Sequence, residues 1–182
     1  MSSVVSKRLM TTLVLACVIG HDAIKPGYAD AVEESTIKSI LTLNLARYSE
    51  WPARVFDRNN ATINLCLLGD DTVQQAFALL EKKPVGNKTL SVHNINESKN
   101  LENCQILFTS ADTANISQLN EQCYKQHILT IGESDDFLYK GGMVYMENSS
   151  GKINLHINLS ALEKAQVHIS SRVLKLATIY KP

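Results

Sequence analysis

Two cysteines, Cys66 and Cys104, constrain this chain most, because each lies inside a short apolar run that reads as a buried strand. The runs are Ile63-Asn64-Leu65-Cys66-Leu67-Leu68 and Cys104-Gln105-Ile106-Leu107-Phe108. A bridge between core strands persists in oxidising compartments, and the N-terminus points to one. Lys7 and Arg8 form a basic start, and residues 9–20 make an apolar run of about a dozen, too short to cross a bilayer as a helix. Small-x-small triplets follow at Gly27-Tyr28-Ala29 and Ala29-Asp30-Ala31. Residues 1–29 therefore read as an export signal, cut after Ala29 or Ala31, and residues 30–182 as one domain. A folded N-terminal helix is the competing reading. Val14-Leu15-Ala16-Cys17 is a loose lipoprotein box in which Cys17 would be acylated; the apolar run continues past it, which favours a cysteine discarded with the leader.

Cleavage leaves about 150 residues, enough for one sizeable core. The whole chain is formally neutral; losing Lys7, Arg8, Lys25 and Asp22 takes the remainder to about −2. That balance offers no footprint for nucleic acid or an anionic membrane. Cys66, Cys104 and Cys123 survive cleavage. Strand placement favours Cys66 with Cys104 among the three pairings. Their bridge would close a loop of roughly 40 residues and contribute about 4 kcal/mol in the chain-entropy model. Cys123 keeps step with Ile116 and Leu119 on a helix face and reads as a buried thiol.

The apolar spacing predicts a first helix over 34–49, with Ile37, Ile40, Leu41, Leu45 and Tyr48 on one face and Pro52 ending it. A buried strand follows at 63–68. Asp71 and Gln74 suggest a capping box for a helix with Val73, Ala76, Phe77 and Leu80 inward. Residues 89–95 read as an edge strand, 104–109 and 128–131 as buried strands, and Asp112 or Thr113 as the cap of a third helix. This alternation argues for an α/β fold, a mostly parallel, Rossmann-like three-layer sheet flanked by helices. The C-terminal third changes style. Met143-Val144-Tyr145-Met146 and the alternating Ile153-Asn154-Leu155-His156-Ile157 read as an antiparallel hairpin with a loop of about five residues. Ser160 with Glu163 suggests a short helix, and Ser170 a last one with Val173, Leu176, Ala177 and Tyr180 inward.

Catalytic patterns are weak. Asp70 and Asp71 end a buried strand, where acidic residues hold magnesium in some phosphoryl-transfer folds. The chain has no phosphate-binding glycine loop to accompany them, and N-capping accounts for Asp71. The histidines, His21, His93, His127, His156 and His168, are nowhere paired at metal-ligand spacing, and no Gly-x-Ser-x-Gly run occurs. Neither a catalytic residue, a metal nor a cofactor is expected. The sequons at Asn60, Asn87, Asn96, Asn115, Asn148 and Asn158 would matter only in a eukaryotic secretory route.

An ordered series of runs carries a resemblance. It comprises Arg47-Tyr48-Ser49-Glu50-Trp51-Pro52, the Cys66 strand through Gly69-Asp70, the Cys104 strand and Leu129-Thr130-Ile131-Gly132-Glu133. Phe137 with Gly141-Gly142-Met143, Ile157-Asn158-Leu159 and Ser170-Ser171-Arg172-Val173-Leu174-Lys175-Leu176-Ala177 complete it. The set resembles the YfiR family of periplasmic proteins over nearly all of the exported part. The resemblance implies regulation without catalysis: repression of an inner-membrane diguanylate cyclase through its periplasmic domain, relieved by an OmpA-like outer-membrane lipoprotein. Cyclic di-GMP, exopolysaccharide and biofilm would be the output. It also implies the Cys66–Cys104 bridge. Relatives with a second bridge carry two cysteines near the Gly-Gly-Met stretch, where this chain has none. Tyr48, Trp51, Met143, Tyr145 and Met146 are the expected partner-binding residues, and a homodimer is a further expectation. The alternative function is a periplasmic small-ligand module, with Gly69-Asp70 and Gly132-Glu133 lining a crevice at strand ends.

Overall fold

The computed structural model describes residues 26–56, 61–96 and 101–181, with side chains from residue 30 onward. The leader's apolar run, Cys17 and His21 lie outside the described residues. The chain runs as helix α1 (Pro26–Arg47), strand β1 (Ser49–Glu50), a 3₁₀ turn (Ala53–Val55), β2 (Thr62–Leu68), α2 (Asp71–Ala78), β3 (Pro84–Val85) and β4 (Lys88–Asn94). It continues as β5 (Ile106–Thr109), α3 (Ile116–Lys125), β6 (Leu129–Gly132), β7 (Val144–Ser149) and β8 (Lys152–Asn158). It closes with α4 (Leu159–Ala165), β9 (His168–Ile169), α5 (Ser171–Leu174) and β10 (Thr178–Tyr180).

Eight strands form one sheet in the order β10-β8-β7-β6-β5-β2-β4-β3. The pairs β4–β2, β2–β5, β5–β6 and β6–β7 are parallel, while β7–β8 is the expected antiparallel hairpin. Parallel strands are buried on both faces, hence their near-continuous apolar character. Alternation sorts the side chains: Leu65, Leu67, Ile106, Phe108 and Ile131 enter one cluster with Phe77 of α2 and Leu45 of α1. Cys66, Leu107, Ile128 and Phe137 enter the other with Leu119 and Cys123 of α3. The mostly parallel, helix-flanked sheet is thus as the strand and helix periods imply.

Several local expectations are corrected. Helix α1 starts well before residue 34, and its inner face is Ser35, Lys38, Ser39, Thr42, Leu43, Leu45 and Ala46, while Ile40 and Tyr48 lie outside. The polar inner face is tolerable because its groups bond locally: Thr42 Oγ1 donates to the Lys38 carbonyl at 2.9 Å, and Ser39 Oγ to the Thr36 carbonyl at 2.8 Å. The cap of α2 is Asp70, accepting from the Val73 amide at 2.9 Å, and Gln74 donates to the Gly69 carbonyl at 3.0 Å. Asn158, which accepts from the Ala161 amide, caps α4 in place of Ser160. Helix α3 begins at Ile116, behind Asn115 in the left-handed region, with neither Asp112 nor Thr113 as its cap. The hairpin loop is only Ser150-Gly151, both at positive φ, the geometry that matches the strands' twist. After the single turn of α5, which Ser170 caps as expected, the chain turns into β10 beside β8, and Leu176 is 85% exposed. Thr178, Ile179 and Tyr180 suit a strand better than a helix.

Phe137 explains two glycines. Its buried ring sits between the backbones of Gly132 and Gly142, and a Cβ at either would overlap it. The loop is further held from α3, where Asn120 Nδ2 donates to the Lys140 carbonyl at 3.1 Å and Tyr124 Oη to that of Gly141. Gly142→Ala should lose about 2 kcal/mol of stability in urea unfolding, and Phe137→Leu in the same chain should recover part of it. Equal midpoints for Gly142→Ala and the parent would refute the packing argument.

Candidate functional site: the disulfide edge and the Lys38 cluster

Cys66 sits in mid-β2 and Cys104 two residues ahead of β5, its parallel neighbour. Both are buried and bonded, with Cα atoms 5.9 Å apart and a sequence separation of 38. Gln105, the lone polar residue in the second run, organises the surroundings. Its Oε1 accepts from the Asn64 amide at 2.8 Å, and its own amide donates to the Asn64 carbonyl at 2.9 Å. Its carbonyl takes the Trp51 indole N–H at 3.1 Å and the Leu129 amide at 2.9 Å. Asn64 Nδ2 closes the ring on the Asn103 carbonyl at 2.7 Å. Sequence reasoning passed over Gln105, although a single amide inside an apolar run is the available signal.

A second centre lies at the carboxyl end of β6. Lys38, only 6% exposed, is paired with Glu133 just past β6 and, at 2.5 Å, with Glu34 one turn back on α1. Asn148 of the hairpin donates to Glu34 at 2.6 Å. Burial by itself would lower the Lys38 ammonium; its bonds to Glu133 and Glu34 outweigh that and raise it above its ordinary 10.5. Burial would raise the Glu34 carboxyl, but Lys38 and Asn148 hold it below its ordinary 4.5. Of the crevice residues expected for a small ligand, Asp70 caps α2 and Glu133 is paired with Lys38.

The expected partner-binding residues do not converge. Met143 and Met146 are 0% and 1% exposed and pack in the first cluster, so neither offers a surface in this conformation. Trp51 is half-buried against that cluster, edge-on to Phe56 with centroids 6.3 Å apart. Tyr145 packs on the opposite cluster, its hydroxyl donating to Asp135 at 2.6 Å and its ring 5.5 Å from that of His156. Tyr48 is exposed. Cys123 is fully buried, and burial pushes its thiol up to about 12, so it remains a protonated apolar side chain. Three of the histidines, His93, His127 and His156, are tied to neighbours rather than to one another. His127 lies between Arg54, with Nε2 2.9 Å from Nη2, and the Ala165 carbonyl at 2.8 Å. His156 lies 3.1 Å from Glu147, and His93 lies 3.3 Å from Asn64. Among the described residues no three His, Cys, Asp or Glu side chains gather as a metal site.

Fold and site together define a bridged α/β domain whose buried charges brace its own frame. A family model described as YfiR/HmsC-like matches residues 35–178, and the chain belongs to that family, a regulatory and periplasmic one. No curated protein matches the chain. Among solved structures it is similar to a conserved domain protein from Vibrio cholerae O1 biovar El Tor, at TM-score 0.54 and 12% identity. That match covers 81% of this chain and 60% of the other, so the chain spans less than two thirds of that structure, and the likeness is one of fold. A weaker likeness, TM-score 0.48 and 9% identity, is to a Streptococcus pneumoniae ABC domain in complex with L-Trp, covering 70% of this chain and 57% of that one.

Lys38→Met leaves two carboxylates facing each other at a partly buried site and should lose about 3 kcal/mol in denaturant unfolding. The parent's stability from Glu34, whose folded value is depressed, is present above pH 4.5 and lost as pH falls below it. That from Lys38, whose folded value is raised, is present below pH 10.5 and lost as pH climbs past it. Lys38→Met should flatten both limbs of the stability–pH curve. A variant with the parent's curve would show the cluster to be energetically silent.

Proposed function

We propose that this protein is exported with loss of residues 1–29 and represses an inner-membrane diguanylate cyclase by binding its periplasmic domain. Membership of the YfiR/HmsC-like family over residues 35–178 is the observation that carries this reading. A repressor that binds the off-state of the cyclase more tightly than the on-state shifts the population by that difference; going from mostly on to mostly off takes about 10⁴-fold selectivity. An OmpA-like outer-membrane lipoprotein that captures the repressor would reverse the shift, raising cyclic di-GMP and exopolysaccharide. For the cyclase contact we assign Trp51, which lines an open cleft with Glu50, Pro52, Glu163, Gln166 and His168. Deleting the gene should raise cyclic di-GMP and biofilm, and the protein should capture a membrane cyclase from inner-membrane extracts; unchanged cyclic di-GMP with no cyclase captured would defeat the reading.

The bridge supplies the redox link. Oxidised, it restrains the unfolded chain and supports the fold by about 4 kcal/mol, a large share of a domain's net stability. Cys66→Ser should therefore lower abundance and release the cyclase together. If Cys66→Ser still silences the cyclase at normal abundance, the redox link is wrong while the repressor reading survives.

A further inference from the structure

His127 is held in one protonation state by its neighbours. It closes the turn between α3 and β6 with φ at 59°, and its ring is gripped on both sides. Nδ1 lies 2.8 Å from the Ala165 carbonyl at the end of α4, an oxygen that only accepts. Nε2 lies 3.2 Å from Nε and 2.9 Å from Nη2 of Arg54, a guanidinium that only donates. The ring is therefore neutral, with its proton on Nδ1 and its lone pair on Nε2. Nη2 of Arg54 also donates to Gln166 Oε1, so three segments meet here: the 3₁₀ turn behind Trp51, the α3–β6 turn and the end of α4. His156 has the opposite setting. Its Nε2 lies 3.1 Å from the Glu147 carboxylate, where a second proton strengthens the contact.

A second proton on His127 sets an N–H against a guanidinium. Both hydrogen bonds from Arg54 lose their acceptor, and two like charges face each other. Histidine is the side chain whose charge changes between about pH 5 and pH 8. Of the other charged groups on the elements packed there, Glu121 and Lys125 belong to α3, and Lys164 of α4 sits over the Tyr124 ring. Glu50, Glu163 and His168 line the Trp51 cleft with Gln166. None of these bonds to the imidazole. A cleft of about 290 Å³, lined in part by Arg54, Gln126 and His127, gives the two cations room to part and reach water. We propose that Arg54, His127 and Gln166 form an acid-released clamp on the Trp51 segment, closed while the imidazole is neutral and opened when it takes a second proton. Opening frees the 3₁₀ turn that follows Trp51-Pro52 and lets go of Gln166, one wall of the Trp51 cleft. Only the effect on a cyclase, weaker capture in acid, rests on the repressor reading.

Trp51 is the chain's single tryptophan, so its emission reads the clamp in the unlabelled protein. Titrating the processed protein from about pH 8 to about pH 5 should give a reversible red shift with one midpoint, as the indole gains water. His127→Asn, a residue that tolerates the left-handed backbone, and Arg54→Met should each abolish that step, while His156→Asn should keep it. Nitrogen NMR of the parent at the alkaline end should show His127 with its proton on Nδ1. Melting curves check that the variants fold; should one fail to, the tautomer measurement on the parent still decides. Emission indifferent to pH overturns the clamp. So does a step that survives His127→Asn or Arg54→Met, a step that His156→Asn removes, or a His127 proton found on Nε2. None of these readouts involves a cyclase, so the clamp can fail while the repressor reading stands, and the reverse.

Discussion

The fold depends on bringing β2 and β5 side by side. They are parallel, so no tight turn can join them, and the chain must leave the sheet, build α2, β3 and β4, and return. The bonded cysteines at the two ends of that detour are separated by 38 positions in sequence. Closing it is entropically unfavourable whether or not the cysteines react; the bridge removes the same freedom from the unfolded chain. Around it, Gln105 ties β2, the Trp51 segment and the approach to β6 through one backbone and one side-chain amide. The covalent and hydrogen-bonded restraints act on the same strand pair, so disturbing either loosens the other.

Helix α1 is attached by different physics. Leu43, Leu45 and Ala46 pack its C-terminal half into the first cluster, while the buried face of its N-terminal half is polar and is held by Lys38 reaching the end of β6 between two carboxylates. Such a cluster is directional: it aligns the helix but tolerates poorly the loss of any one member. The apolar side chains displaced by this arrangement, Ile40 and Tyr48 among them, are left facing solvent. An ordinary amphipathic helix would have hidden them, so their exposure is a consequence of how the helix is seated.

Much of the architecture was legible before any coordinates. The strand containing Cys66, the strand that begins two residues after Cys104, the inward residues of α2 and α3, and the hairpin all follow from period and composition. Helix caps were less legible. Asp70 and Asp71, or Asn158 and Ser160, are adjacent or nearly so and chemically alike, and the choice depends on where the preceding strand releases the chain. The same holds at the C-terminus, where β10 forms because β8 has an open edge beside it. Of the expected contact residues, Met143, just ahead of β7, and Met146 within it were drawn inside because they pack with Val144 in the first cluster, while Tyr145 and Glu147 on the strand's other face stay partly exposed.

By itself the sequence determined the sheet-forming runs, the helices that cover them and the pair of cysteines able to bridge, since burial period and thiol placement are local properties of the chain. Only the tertiary structure decided which way α1 faces. Its rotation is set by Glu133, nearly a hundred residues downstream, and by Asn148 on a distant hairpin. A long-range ion pair of that kind leaves no periodic trace in the helix it turns, because its partners are assembled by the fold.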